Sequence, residues 1–209
     1  MFSDLTSTDI IVFIVSILFS MAIHESMHAF VSHSLGDTTA KDLGRLTLNP
    51  LKHIDLFTTL LLPLTLILLH VPPIFIAKPV PFNPNRVKFG EFGAALVGVA
   101  GPLTNLALAG LAALILRFAF TSVSATTFNV FLIFVEVNVA LFIFNMIPIP
   151  PLDGSRLLYA FAPEPLQRVM QRIEAAGFVS IIFFLFILVN FLGSAIFALE
   201  DHLVTFFLG

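Results

Sequence analysis

The chain has 209 residues, of which 58% are hydrophobic and 11% charged, with 25 Phe, no Cys and no Trp. A soluble domain carries about 25% charged residues, and one of this length could not hide so much Leu, Ile, Val and Phe, because much of its surface must still face water. The net charge of −3 without a basic tract speaks against a nucleic-acid partner, and the composition excludes a disordered chain and a disulfide scaffold.

What remains is an all-α polytopic membrane protein, read as a single domain over residues 1–209, whose metal sites, if any, use N and O ligands. A helix that spans a bilayer needs about 20 apolar residues. Four stretches qualify, at about 10–35, 94–118, 127–147 and 175–199. The residues before the first carry Asp4 and Asp9 and neither Lys nor Arg, unlike the positive start of a signal peptide, so the first stretch is read as a retained helix. Within it stand His24, Glu25, Ser26, Met27 and His28. Residues four apart share a helix face, so both imidazoles can hold one cation, and Glu25 can polarise a water on it. This is the HExxH zinc pattern. A satisfied polar cluster between packed helices is the other reading, but ionisable residues at membrane depth are costly and mark function.

Residues 38–49 alternate small, charged and apolar side chains, with Gly36 and Gly44 marking turns, a pattern that can form short strands in a small membrane-edge β-hairpin. The apolar stretch 54–76 is broken by Pro63 and ends at Val71-Pro72-Pro73. If it crosses once, the basic residues divide too evenly to orient the chain. If it dips in and returns, every Lys and Arg except Arg117 lies on one side. The positive-inside rule therefore favours four full spans, a re-entrant segment at 54–76 and both termini outside. Such backbone survives at membrane depth only inside protein or beside a wet cavity. Residues 80–86, with Pro81 and Pro84, read as an extended loop.

Zinc needs a third protein ligand and an open position for water. Asp153 is the best candidate: Pro148, Pro150 and Pro151 break the end of the third span, and Gly154 permits a turn that aims Asp153 back at the metal. On local grounds Asp153 serves equally well as the N-cap of a helix over 156–161.

At this point the chain resembles the site-2 protease family of intramembrane zinc metalloproteases. HESMH is similar to the family's first motif, and FNMIPIPPLDG to its Asn- and Pro-rich LDG motif. Ala100-Gly101-Pro102-Leu103-Thr104-Asn105 resembles the AGPxxN start of the core helix between them. Gly44-Arg45-Leu46-Thr47-Leu48-Asn49-Pro50, followed by His53-Ile54-Asp55, resembles a short form of the family without a PDZ domain. The resemblance runs from about residue 10 to 158. It departs at Leu56-Phe57-Thr58-Thr59, where the family commonly has Pro-x-Gly-Thr. It implies that the HExxH and LDG helices run in the same direction with one core helix between them, the parity of four spans with a re-entrant segment.

The expected chemistry is one Zn2+ per chain held by His24, His28 and Asp153, with Glu25 taking a proton from the attacking water. Substrates would be membrane-embedded proteins or peptides, entering as an added strand on an exposed edge of residues 38–49. The basic residues place the opening towards the cytoplasm, in a multi-pass protein of the plasma (inner) membrane. Asn145 can donate to a developing oxyanion or bond between helices; Asn105 and Asn138 read as interhelical packing. Glu136 lies deep in the third span without a visible partner, and His53 and Asp55 stand at the mouth of the re-entrant stretch as contacts to substrate or to a second polar network, or as a solvated interface loop. His33, His70 and His202 belong to no motif. A metal-ion transporter using the same His and carboxylates, or an inactive protease-like scaffold, are the competing readings.

Overall fold

The computed structural model describes residues 6–61, 63, 65, 68, 77–119, 123–177 and 191–209. Helix α1 (Ser7–Ser34) starts at a capping box: Thr6 Oγ1 accepts from the Asp9 N–H at 3.2 Å, and Asp9 Oδ2 accepts from the Thr6 N–H at 3.0 Å. At 28 residues it is roughly 42 Å long, enough to cross a hydrocarbon core of about 30 Å. Its faces are inverted relative to a soluble helix. Ser16, Ser20, His24, His28 and Ser32, spaced four apart, are all buried, whereas Ile10, Ile11, Val15 and Phe19 are exposed. Apolar side chains out and polar ones in is the pattern that lipid imposes.

A one-turn helix α2 (Thr39–Asp42), short 3-10 turns at Pro50–Lys52 and Pro84–Arg86, and a π-helical turn at Leu56–Leu61 follow α1 and precede the long α3 (Gly90–Ala119). Helix α4 (Ala125–Asn145) is N-capped by Ser124, which accepts from the Thr127 N–H at 3.1 Å. The amphipathic helices α5 (Gly154–Phe161) and α6 (Glu164–Ala175), then α7 (Gly193–Leu208), complete the described chain. It is all-helical, and α1, α3 and α4 are long and apolar enough to cross a membrane. Most of the stretch expected to span at 175–199 lies outside the described residues, as does most of 54–76, including His70.

Asn129 donates to Asp9, so α1 and α4 begin at the same end of the bundle and run parallel, with α3 returning between them. The apolar core sits where Ala109, Ala112 and Ala113 of α3 meet Val135, Val139 and Ile143 of α4, with Leu203, Val204 and Phe207 of α7 packed on them. Small residues on α3 let the helix backbones approach closely.

Residues 38–49 correct the hairpin expectation. Among the described residues they form α2 and a loop, and no strand. The reason is that the backbone is already paired within the segment: the Asp42, Leu43, Gly44 and Arg45 N–H groups donate to the Thr38, Thr39, Lys41 and Ala40 carbonyls. The buried Arg45 guanidinium donates to the Lys52, Lys78 and Pro79 carbonyls, and the Asp37 carboxylate accepts from the Thr39 and Asn83 N–H groups, which tie the segment to its neighbours. Substrate entry by strand addition to this segment loses its basis. The same contacts close the flanks of 54–76 on each other: the Lys78 N–H donates to the His53 carbonyl at 3.0 Å.

Burial pushes the Asp37 carboxyl up, and hydrogen bonds from Thr39 and Asn83 with the charge of Arg86 overcome it, holding the group below the ordinary carboxylate range. A depressed folded value means that the stabilisation is complete above the unfolded value of about 3.9 and is lost as pH falls through the folded one. Asp37→Ala should cost about 1–3 kcal/mol and expose residues 77–83 to limited proteolysis. In thermal melts, the advantage of the wild type over Asp37→Asn should be full at neutral pH and shrink below about pH 4.

Candidate metal centre

His24 and His28 lie one turn apart on α1, both buried, with their rings edge to face at a centroid separation of 4.7 Å. Their Nε2 atoms are 3.0 Å apart. Asp153 Oδ2 stands 2.9 Å from Nε2 of His24 and 3.3 Å from Nε2 of His28. The three side chains offer ligand atoms that all lie within 4.8 Å of one another.

What these atoms can do follows from the other ring nitrogens. The His28 Nδ1 is 2.7 Å from the Val97 carbonyl of α3, which only accepts, so Nδ1 carries the hydrogen. The His24 Nδ1 is 2.6 Å from Asn105 Oδ1 and likewise donates. In the neutral rings both Nε2 atoms are then left as lone pairs, aimed at one point beside an anionic oxygen. Two imidazole nitrogens and one carboxylate oxygen are a donor set suited to zinc, whose bonds of about 2.0–2.2 Å place tetrahedral ligands about 3.3 Å apart. Outer hydrogen bonds that fix the ligand tautomers are the usual companions of such a site. The Asp153 side chain is 25% exposed, which gives water a path to a fourth position.

Asp153 reaches the rings because of the chain break that the prolines impose. Helix α4 ends at Asn145, tight turns through Ile149 and Leu152 follow, and α5 begins at Gly154. Asp153 holds the N-cap position of α5, yet its side chain makes no capping bond and turns to the imidazoles instead. On the other side, α3 comes against the rings at Gly101, where a Cβ would stand 2.5 Å from Nε2 of both His24 and His28. Only a hydrogen fits there.

The remaining candidates separate clearly. The Glu25 carboxylate, half-buried at the next position on α1, accepts the Val80 N–H at 2.7 Å. Asn145 donates its amide to the Leu141 carbonyl of its own helix at 3.0 Å, and no bond among the described residues joins it to the three ligands. His53 is buried, not solvated: its Nε2 is 2.9 Å from the Thr47 carbonyl and 3.3 Å from Ser26 Oγ, so it braces α1 between the two ligands. Asp55 accepts from the Phe57 and Thr58 N–H groups, which hold its carboxyl below the ordinary range and tie it to its own turn. Glu136 is exposed on α4. Gly101 and the ring-holding role of Asn105 went unread in the sequence; the signal for both was their place in the AGPxxN segment.

The long apolar helices and the two-His, one-carboxylate cluster are the features of a membrane protein that could hold a metal ion, and comparison with known proteins gives the class as metallopeptidase. The profile of peptidase family M50 matches residues 119–189. A Bacillus subtilis (strain 168) protein named "Putative zinc metalloprotease YwhC" is 38% identical over 188 residues, covering 87% of this chain and 81% of the relative. Proteins of the same description named Rip2 are 31% identical over 170 residues in Mycolicibacterium smegmatis and 30% identical over 158 residues in Mycobacterium tuberculosis H37Rv. These alignments cover 79% and 73% of this chain, but only 62% and 58% of the mycobacterial relatives. No solved structure matches. The chain belongs to peptidase family M50, the site-2 protease family of zinc metalloproteases.

Gly101→Ala should abolish metal retention, read as zinc stoichiometry after purification, while the apo protein still folds. Asn105→Ala should weaken zinc about 10–100-fold in a chelator competition.

Proposed function

We propose that this chain is an intramembrane zinc metallopeptidase that hydrolyses peptide bonds of membrane-embedded proteins or peptides. The observation that carries the reading is the convergence of His24 Nε2, His28 Nε2 and Asp153 Oδ2 inside a bundle whose long helices are apolar enough to cross a membrane. His24, His28 and Asp153 would hold the ion, and zinc bound there supplies Lewis acidity that brings the pKa of a water towards 7 and polarises a carbonyl.

The chain's own residues do the rest. Glu25 takes the proton of the attacking water and delivers it to the leaving amine. The Val80 N–H holds Glu25 Oε2, leaving the second carboxylate oxygen to face the water. An apolar groove of about 440 Å³, lined by Met146, Pro148, Gly154, Leu157, Leu158 and Phe161, opens beside Asp153 and suits apolar side chains of a substrate drawn from lipid. Oxyanion stabilisation by Asn145 requires its amide to leave the Leu141 carbonyl.

The hydrogen bond between His53 and Lys78 supports a re-entrant course for 54–76. Lys41, Arg45, Lys52 and Lys88 lie at the C-terminal end of α1, whereas Arg117 meets Gly209 at the other end. That division supports four spans with the metal end towards the cytoplasm of the inner membrane. A transporter needs successive sites along a path; among the described residues one His/Asp group of three could hold a metal.

Glu25→Gln should keep stoichiometric zinc and lose cleavage of a membrane-tethered reporter by about 10²–10⁴-fold. Undiminished cleavage by that variant would sink the assignment.

A further inference from the structure

We propose that Asn138, which touches none of the metal-ligand candidates, is a positioning residue that fixes through Asn105 which nitrogen of His24 carries the hydrogen. The inference rests on the metal-site reading above. A chain of donors and acceptors across three helices gives it a direction. Asn138 Nδ2 lies 2.8 Å from the Phe134 carbonyl, which only accepts, so the amide of Asn138 must present nitrogen there and oxygen on its other side. That oxygen is 2.9 Å from Asn105 Nδ2, so Asn105 donates towards α4 and turns its own oxygen towards His24. At 2.6 Å from that oxygen, His24 Nδ1 has to donate, which leaves Nε2, 2.9 Å from Asp153 Oδ2, as the ligand atom.

The polarity of the site is thus anchored at a backbone carbonyl on α4. His28 receives the same instruction directly from the Val97 carbonyl; His24 receives it through two amides. Ser20 completes the relay, its Oγ accepting the other Asn138 N–H at 2.9 Å and its carbonyl lying 3.4 Å from Asn105 Nδ2. Ser20, Asn105 and Asn138 are fully buried, so water cannot stand in for a missing member. Without the Asn138 oxygen, Asn105 is held in its orientation only by the long contact to Ser20. A flipped amide would present N–H to His24 Nδ1, drive the hydrogen to Nε2 and close the ligand position.

The test uses the full chain in detergent micelles. In the metal-free wild type, 15N NMR of His24 should show a hydrogen on Nδ1, whether or not Nε2 also carries one against Asp153; a bare Nδ1 would overturn the proposal without any variant. Asn138→Leu should give a mixture of tautomers and at least a tenfold weaker zinc affinity, with Asn138→Ser reading the same quantities should the leucine variant not fold. Asn138→Asp, neutral at this depth and still offering an acceptor to Asn105, should restore both. In an Asn105→Leu background the Asn138→Leu change should add no further loss of affinity, whereas additive losses would mean packing alone. Ser20→Ala, which leaves the carbonyl anchor in place, should keep the wild-type tautomer. Because the tautomer is read without metal or substrate, it reports on the relay even if the chain proves not to be a peptidase.

Discussion

Three candidate ligand atoms converge on one point, and the rest of the site depends on holding them there. His24 and His28 hold their Nε2 atoms 3.0 Å apart with Asp153 Oδ2 within 3.3 Å of both. In water the rings would rotate away. Here each is held at its far nitrogen by a buried acceptor, Val97 O or Asn105 Oδ1, which a departing ring would leave unpaired in an apolar surrounding. Leaving such a group unsatisfied costs about 1–3 kcal/mol, so the outer hydrogen bonds hold the inner atoms where one cation can meet all three.

Helix α3 is the platform for this arrangement. Between residues 97 and 105 it supplies the carbonyl for His28, the amide for His24 and the space for both rings at Gly101. On a neighbouring face, Gly98 lets the turn of Asp153 and the stem of Arg156 lie against the backbone: a Cβ there would be 3.0 Å from the Asp153 carbonyl and 2.8 Å from Arg156 Cβ. One rigid helix therefore sets the distance from α1 on one side and from the Asp153 turn on the other, which is how a site keeps ligands from separate elements in register.

The sequence displays the ligands more plainly than what holds them. HExxH and the proline-broken LDG turn are readable because metal chemistry demands those residue types at those spacings, and the apolar runs announced the three long helices. Asn105 and Asn138 were read as interhelical packing, since an isolated amide in a span carries no sign of what it faces. A further pattern was present: Ser16, Ser20, His24, His28 and Ser32 recur every fourth residue and mark the buried stripe of α1. Residues 38–49 misled because alternation favours a strand only when the backbone is free to pair, and the N–H groups of residues 42–45 are already bonded to carbonyls of residues 38–41. The bond from Val80 to Glu25 joins residues 55 positions apart through a main-chain N–H and has no residue-type signature.

That last contact makes the polar-end loop part of the site. Pro79 and Pro81 flank Val80, so neither neighbour can offer an N–H, and the amide facing Glu25 is specified by the absence of donors beside it. The loop is brought there by Arg45 at Lys78 and Pro79, by Asp37 at Asn83, and by the packing of Val80 on Ala29 and Ala40. Arg45 and Asp37 are therefore structural charges that set the position of the Val80 N–H against Glu25. They are buried where solvent would screen them little, and they act on Glu25 through a backbone segment rather than through their own fields. Part of the scarce charge of this chain thus gathers in two places: His24, Glu25, His28 and Asp153 at the candidate metal centre, and Arg45 and Asp37 at the polar end, where they hold an extended loop against Glu25.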